Sequence, residues 1–362
     1  MAKTPELHFP KDYRTGRANF IAACEAADLG VTSRLHPGEK GPDGKPLFID
    51  TTTIGPIDAE KALLLISGTH GVEGYFGSGV ETGLVREGIA NAIPPDTKLV
   101  MLHALNPYGF AFDRRVNEDN ADVNRNFVDH TDPPANPAYE VLAEWIAPKD
   151  ISPDAMRVAN AKLRAFADER GAFALQEAIS RGQYKFADGL YYGGAEESWS
   201  AEMLRDVLRE DFARVKRLVV VDFHTGLGEH GHGEMITEEL PASANYKRQK
   251  RIWGVRVKSS ESGESVSAPL VGTIDKAVAE WAGRRRELTF AALEVGTSPM
   301  RDVFNALRKD NWLHCFAGRL KTQAESIRRE IRAAFYPDTK DWKRMVWKHA
   351  DEVVHQALAS LA

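Results

Sequence analysis

The sequence predicts an α/β fold: a single domain on a mixed, mostly parallel central sheet with helices on both faces. Three observations predict it. Short apolar runs alternate along the chain with helical stretches. Each run is apolar throughout rather than at every second position, which marks strands covered on both faces, the habit of parallel sheets. No linker, internal repeat or low-complexity tract divides the 362 residues, so 1–362 reads as one unit.

Residues 11–28 read as a helix. Residues 36–46 are crowded with Pro and Gly and read as a turn-rich loop. Leu63–Ser67 is a buried strand, 74–87 a helix, and 98–105 a second buried strand. Residues 106–137 are polar, rich in Asn, Asp and Pro, and show no period. A long irregular stretch inside a compact domain is usually functional or disordered. Helix dominates 138–180, and an aromatic loop follows at 181–196. An amphipathic helix at 199–215 leads into a strand at 217–223. A strand near 233–237, a helix near 274–283 and a strand at 287–294 come next. From about 301 to 362 the chain reads as a helical C-terminal extension.

Composition is ordinary for a globular protein, with 43% hydrophobic and 27% charged residues. A net charge of −5 favours neither nucleic acid nor an anionic membrane as partner. No apolar stretch is of membrane-spanning length. Met1–His8 shows no signal-peptide core, so a cytoplasmic location is expected. Cys24 and Cys315 are expected as buried free thiols rather than a disulfide.

The chemistry gathers at strand ends. His70 and Glu73 follow the run Leu63–Ile66, His224 follows Leu218–Phe223, and Glu294 ends Leu288–Leu293. Sites in open α/β sheets are built at the carboxyl ends of strands. Two His and one Glu suit one catalytic zinc per chain, with a fourth position open, and a further Glu can serve as base. His-x-x-Glu also occurs at His36/Glu39 and His349/Glu352. The first lies in the Pro/Gly loop and reads as solvated surface. The second, with His355, sits at i, i+3 and i+6 of a helix, a sweep of about 200–240° that does not converge on one ion. His70/Glu73 differs by its strand and by Gly68, Gly71 and Gly74, which leave room for a tight turn. A lone His at a strand end is more often a structural residue; the combination points to metal. Glu294 read alone could cap the helix after Thr297-Ser298-Pro299. Asp222 is left unassigned, because neighbouring strand residues point to opposite faces, although orienting a ligand is open to it. No Gly-x-Gly-x-x-Gly follows a strand, which disfavours a dinucleotide-dependent oxidoreductase.

In this order these residues resemble the zinc carboxypeptidase family and its amidohydrolase relatives. The resemblance extends through Asn106-Pro107-Tyr108-Gly109-Phe110 and Asp122-Val123-Asn124-Arg125-Asn126-Phe127, and covers roughly 60–300. The wording around His70, Arg115, His224 and Glu294 resembles a bacterial branch of that superfamily. The resemblance implies a zinc carboxypeptidase-like fold, His70, Glu73 and His224 as zinc ligands, and Glu294 as catalytic base. It implies that Asn124 and Arg125 hold a substrate carboxylate, for which a guanidinium fork is suited. It implies an oxyanion-stabilising arginine, Arg115, with Arg114 as rival. Tyr192, with Tyr191, either lines the cleft or fills core. His230 and His232 read as a solvated loop rather than a second metal site. The tail packs on the sheet or forms a contact between copies of the chain. The implied reaction is zinc-dependent hydrolysis of a small peptide. The alternatives are a deacylase of N-acyl amino acids, of the aspartoacylase and succinylglutamate desuccinylase kind, and a non-catalytic metal- or peptide-binding protein.

Overall fold

The computed structural model describes residues 4–317 and 323–362. Residues 1–3, at the start of the segment read for a leader, and 318–322, inside the stretch read as helical tail, lie outside the described residues. Helix α1 (Tyr13–Ala26) starts where Asp12 accepts a hydrogen bond from the Thr15 N–H, satisfying one of the donors a helix start leaves open. Strands β1 (Val31–Lys40) and β2 (Pro46–Ile54) follow, then β3 (Lys61–Ile66), α2 (Gly74–Arg86), β4 (Thr97–His103) and the short α3 (Pro107–Phe112). Helices α4 (Pro137–Ile146), α5 (Pro153–Arg170), α6 (Ala172–Ser180) and α7 (Trp199–Asp211) precede β5 (Arg217–His230) and β6 (Gly233–Thr237). Then come α8 (Ala244–Trp253), β7 (Val257–Ser259), α9 (Ile274–Ala282) and β8 (Glu287–Gly296). Helices α10 (Met300–Cys315), α11 (Ala324–Phe335) and α12 (Lys340–Ser360) complete the chain.

The strands form one sheet in the order β1-β2-β4-β3-β5-β8-β6-β7. Its centre, β4-β3-β5-β8, is parallel, as is β6-β7; β1-β2, β2-β4 and β6-β8 pair antiparallel. The expected mixed, mostly parallel sheet is therefore present. Both faces are covered because consecutive residues of the central strands, which point to opposite faces, are apolar. Leu63, Leu65, Val219, Val221, Ala291 and Leu293 pack beneath α1, α2 and α12. Ala62, Leu64, Leu218 and Val220 pack on the other face beneath α7 and α9. A third cluster draws α4, α5, α6, α10 and α11 together around Val72.

The tail is part of this core. Trp342 of α12 is fully buried, and its indole N–H donates to the Gly296 carbonyl at 3.0 Å. Among the described residues no helix is long and apolar enough to cross a membrane.

The loop expected at 36–46 is a hairpin instead. Only Gly41–Lys45 turns, closed by the Gly41 N–H on Lys45 and the Gly44 N–H on Gly41. β1 is an edge strand, mostly exposed, so it never shows the apolar run that identifies a buried strand. His36 is correspondingly not solvated surface: it is 6% exposed, meets Glu118 at 3.1 Å and packs on Trp199. β5 outruns its expected end by seven residues, so His230 stands on a strand and contacts the Thr297 carbonyl at 2.7 Å. His232 is exposed, and its ring faces half-buried His349, while His355 is exposed on α12. Both cysteines are free; Cys24 is buried as expected, but Cys315 is half-buried.

Candidate metal centre

β3 stops at Ile66 and the chain turns sharply. Gly68 takes φ +67°, and a Cβ there would come 3.1 Å from the Ala104 Cα, so glycine suits this left-handed turn. Gly71 lies flat against α3, where a Cβ would sit 2.0 Å from the Gly109 carbonyl carbon. The turn 71–73 is pinned from the other side, Gly71 N–H on the Arg115 carbonyl at 3.1 Å and Val72 N–H on that of Arg114 at 2.7 Å. This fixes His70 and Glu73 on one short turn above the sheet. Next to β3, strand β5 carries Val221 level with Leu65 and then runs on to His224, whose register partner on β8 is Glu294. Parallel register thus delivers residues separated by 150 or more positions to one place.

Ligand atoms of three side chains meet there. His70 Nδ1 lies 2.9 Å from one Glu73 oxygen, His224 Nδ1 lies 3.2 Å from the other, and the two Nδ1 atoms are 3.2 Å apart. A tetrahedral zinc with ligands near 2.0–2.1 Å sets neighbouring ligand atoms about 3.3 Å apart, the scale on which these atoms are spaced. The three side chains are 3%, 1% and 4% exposed. Among the described residues this is the only set of three or more His, Cys, Asp or Glu that converges in this way.

The far side of each imidazole is also held. His70 Nε2 meets Asp122 at 3.1 Å, and His224 Nε2 meets Asp222 at 2.7 Å. Thr69 Oγ1 donates to the other Asp222 oxygen at 2.8 Å, and Arg115 Nε to the other Asp122 oxygen at 3.0 Å. Nε2–H donation to a carboxylate leaves the Nδ1 lone pair for an ion and raises its basicity. The expectation that left Asp222 unassigned is corrected here. Residues 222 and 224 are two apart on a strand, so they share a face.

The electrostatics follow from four nearly buried carboxylates, Glu73, Asp122, Asp222 and Glu294. Burial works to raise the Glu73 carboxyl, but the His70 and His224 imidazoles outweigh it and hold it below the usual carboxylate range. Burial likewise opposes ionisation of Asp122; Arg115 and His70 outweigh it and hold that carboxyl well below its ordinary value. Burial would lower the His224 pKa, yet Asp222 and Glu73 together hold it well above the ordinary value. A divalent cation is suited to balance such a concentration of negative charge. Glu294 differs from the other carboxylates. Burial first, then the charge of Glu73, pushes its carboxyl up to about 8, against the pull of His224. One Glu294 oxygen accepts the Leu227 N–H at 2.8 Å.

Arg115 joins this group, its Nη1 donating to Glu73 at 3.1 Å. Arg114, the expected rival, does not. Its donors go to Asp310 at 3.2 Å and Asn120 at 2.8 Å, so it braces α10 against the loop. The Arg125 guanidinium donates to the Ser180 carbonyl at 3.0 and 2.7 Å and to the Asn124 carbonyl at 2.6 Å. The Asn124 amide oxygen accepts the Ile274 N–H at 2.9 Å. Tyr191 has a left-handed φ of +54°, and the guanidiniums of Arg115 and Arg125 lie over its ring at 5.2 and 5.7 Å. The Tyr192 carbonyl accepts the Asp122 N–H at 2.7 Å. The aromatic ring beside the centre is thus that of Tyr191.

Residues 9–349 match the family described as "Protein of unknown function (DUF2817)". Carboxypeptidase SOL1 of Arabidopsis thaliana is 28% identical over 141 residues, 35% of this chain and 28% of that protein, so the match spans about a quarter of that relative. Among solved structures, carboxypeptidase A from Helicoverpa armigera is similar with a TM-score of 0.47 and 12% identity, covering 96% of this chain and 73% of that one. A succinylglutamate desuccinylase from Silicibacter sp. is similar with a TM-score of 0.41 and 15% identity, covering 80% of this chain and 66% of that one.

Proposed function

Since the chain belongs to the DUF2817 family, we propose from its own site that it is a zinc-dependent amide hydrolase for small substrates that carry a carboxylate. One observation carries the reading: two Nδ1 atoms and a carboxylate converge, and each imidazole is backed on Nε2 by a buried aspartate. His70, Glu73 and His224 would hold the ion, one per chain. When bound, zinc supplies Lewis acidity toward water and toward a carbonyl oxygen.

The remaining chemistry belongs to the chain. Glu294 takes the proton of the attacking water and carries it to the leaving amine, the work of a carboxyl poised near neutral pH. Its anchored oxygen, fixed by Leu227, leaves the other to carry that proton. Arg115, pinned between Glu73 and Asp122, stabilises the oxyanion. Arg125 keeps two N–H groups beyond its three backbone bonds. We assign those, with Asn124, to the substrate carboxylate.

Burial favours the smaller of two substrate classes. The ligands and Glu294 are each 8% exposed or less. The end of α11 closes on the centre's loops, Thr225 donating to the Phe335 carbonyl at 2.7 Å and Thr297 to that of Ala334 at 2.6 Å. An N-acyl amino acid fits such confinement better than a polypeptide end does.

Metal analysis followed by a panel of N-acyl amino acids and free and C-terminally blocked dipeptides tests the reading. One zinc per chain is expected, with turnover of acyl amino acids or free dipeptides. Glu294→Gln should keep the zinc and lose activity by about 10²–10⁴-fold. Unchanged hydrolysis in that variant would overturn the base. Metal retention with no turnover of any amide would make the protein a binding module.

A further inference from the structure

The metal centre occupies the carboxyl ends of β3, β5 and β8. A separate cavity of about 550 Å³ opens at the amino ends of β5 and β8, between α8 and the last turn of α12. That volume is in the range of small-ligand sites. Three arginines line it, Arg217, Arg248 and Arg251, against one carboxylate, Glu287. The lining carries a formal +2 on a chain whose net charge is −5.

Two of these guanidiniums are held in place. Arg217 donates to Glu287 at 3.1 Å and to the Ser360 carbonyl at 3.1 Å. Arg248 donates to Thr289 at 3.3 Å and to the Leu288 carbonyl at 2.7 Å. Each thereby keeps an Nη1 uncommitted and oriented by the bonds its other nitrogens make. Arg251 stands one turn beyond Arg248 on α8 and bonds to no described residue. Three like charges around one concavity repel each other, and an anion among them relieves that repulsion. Guanidinium forks match the planar or tetrahedral oxygens of carboxylate and phosphate. Beside the arginines the lining is mixed: Leu218, Val219, Ile252 and Leu361 offer an apolar patch, next to Thr289, Gln356 and Ser360.

We propose that this cavity is a binding site for a small anion, a carboxylate or phosphate head on a short apolar body, independent of the metal centre. Calorimetric titration of the full-length protein with hexyl phosphate, hexanoate and inorganic phosphate tests it. Saturable binding of hexyl phosphate or hexanoate is expected, tighter than that of inorganic phosphate and weaker at high salt. The tighter of the two names the head group. Arg251→Gln should weaken it about tenfold or more, the worth of a charge-assisted hydrogen bond, and Arg251→Glu further still. Arg251 is exposed, so neither change touches the core. Affinity unchanged in Arg251→Glu would put the anion elsewhere, at the metal centre for example, and overturn the proposal. So would the absence of saturable binding at millimolar concentration.

Discussion

At the scale of single residues, Asp122 and Asp222 convert two histidines into a directed pair. Without a carboxylate on Nε2, either ring could protonate either nitrogen, and the Nδ1 atoms would not both present lone pairs to one point. Asp222 is the cleaner test, since Asp122 is also paired with Arg115 whereas the second oxygen of Asp222 meets the Thr69 hydroxyl. Asp222→Asn should lower zinc affinity about 10–100-fold with the fold intact, measured by competition with a chromogenic chelator. An affinity equal to wild type would show that Asp222 does not orient His224. The same pair fixes a proton count. Asp222 and Glu73 favour the protonated form of His224, and an ion at Nδ1 competes with the proton there. Zinc uptake should release about one proton or more per ion and weaken as pH falls. Calorimetry in buffers of different ionisation enthalpy would read that release, and a value of zero would contradict the assignment. His70, Glu73, His224 and Glu294 were legible because each follows an apolar run. Asp222 was equally visible in the sequence; the period-two rule, applied to residues two apart, assigns it. The commitments of Arg114 and Arg125 were not legible, since partners such as Asp310 and Ser180 are brought in only by tertiary packing.

At the scale of elements, legibility followed burial. β3, β4 and most of β5 are buried on both faces, and β8 is buried on one and half-buried on the other; strands so placed have to be largely apolar. β1 lies at the sheet edge, where Thr, Ser and Arg serve as well as Val; β2, paired on both sides, is mostly buried but carries Asp50 and Thr51–Thr53, so neither shows an unbroken apolar run and only their turn residues stood out. The segment 106–137 read as irregular because its order comes from side chains rather than period. Asn106 caps α3 on the Gly109 N–H, and Asn117 accepts the Asp119 and Ala121 N–H groups. α3 is also the surface on which the ligand-bearing turn 71–73 rests. At Gly71 a Cβ would overlap backbone, which cannot yield as a side chain can. Gly71→Ala should therefore displace the turn, costing about 1–3 kcal/mol or more and lowering zinc content with it. Melting and metal analysis of the variant check both, and a stable, fully loaded protein would remove the close approach from the account.

For the molecule as a whole, stability should depend on acidity through a histidine remote from the metal. His103 on β4 is fully buried at the junction of the sheet with α1 and α2. Its ring stacks on Phe20 of α1 at 4.6 Å, and Nε2 meets Ser78 of α2 at 2.9 Å. Burial pushes its imidazole down to about 4, from an ordinary 6.5. Below pH about 6.5 the unfolded chain takes up a proton here and the folded chain does not, so acid favours unfolding. The contribution is intact above that pH and is lost as pH falls toward about 4, where the folded protein finally binds the proton. Between pH 7 and pH 5 the loss is about 2 kcal/mol. Denaturant unfolding at the two pH values, with chelator present to silence the metal centre, isolates this contribution. His103→Gln should be less stable at pH 7 and lose about 2 kcal/mol less than wild type on going to pH 5. Parallel losses in the two proteins would assign the acid sensitivity to other groups and leave His103 a packing residue alone.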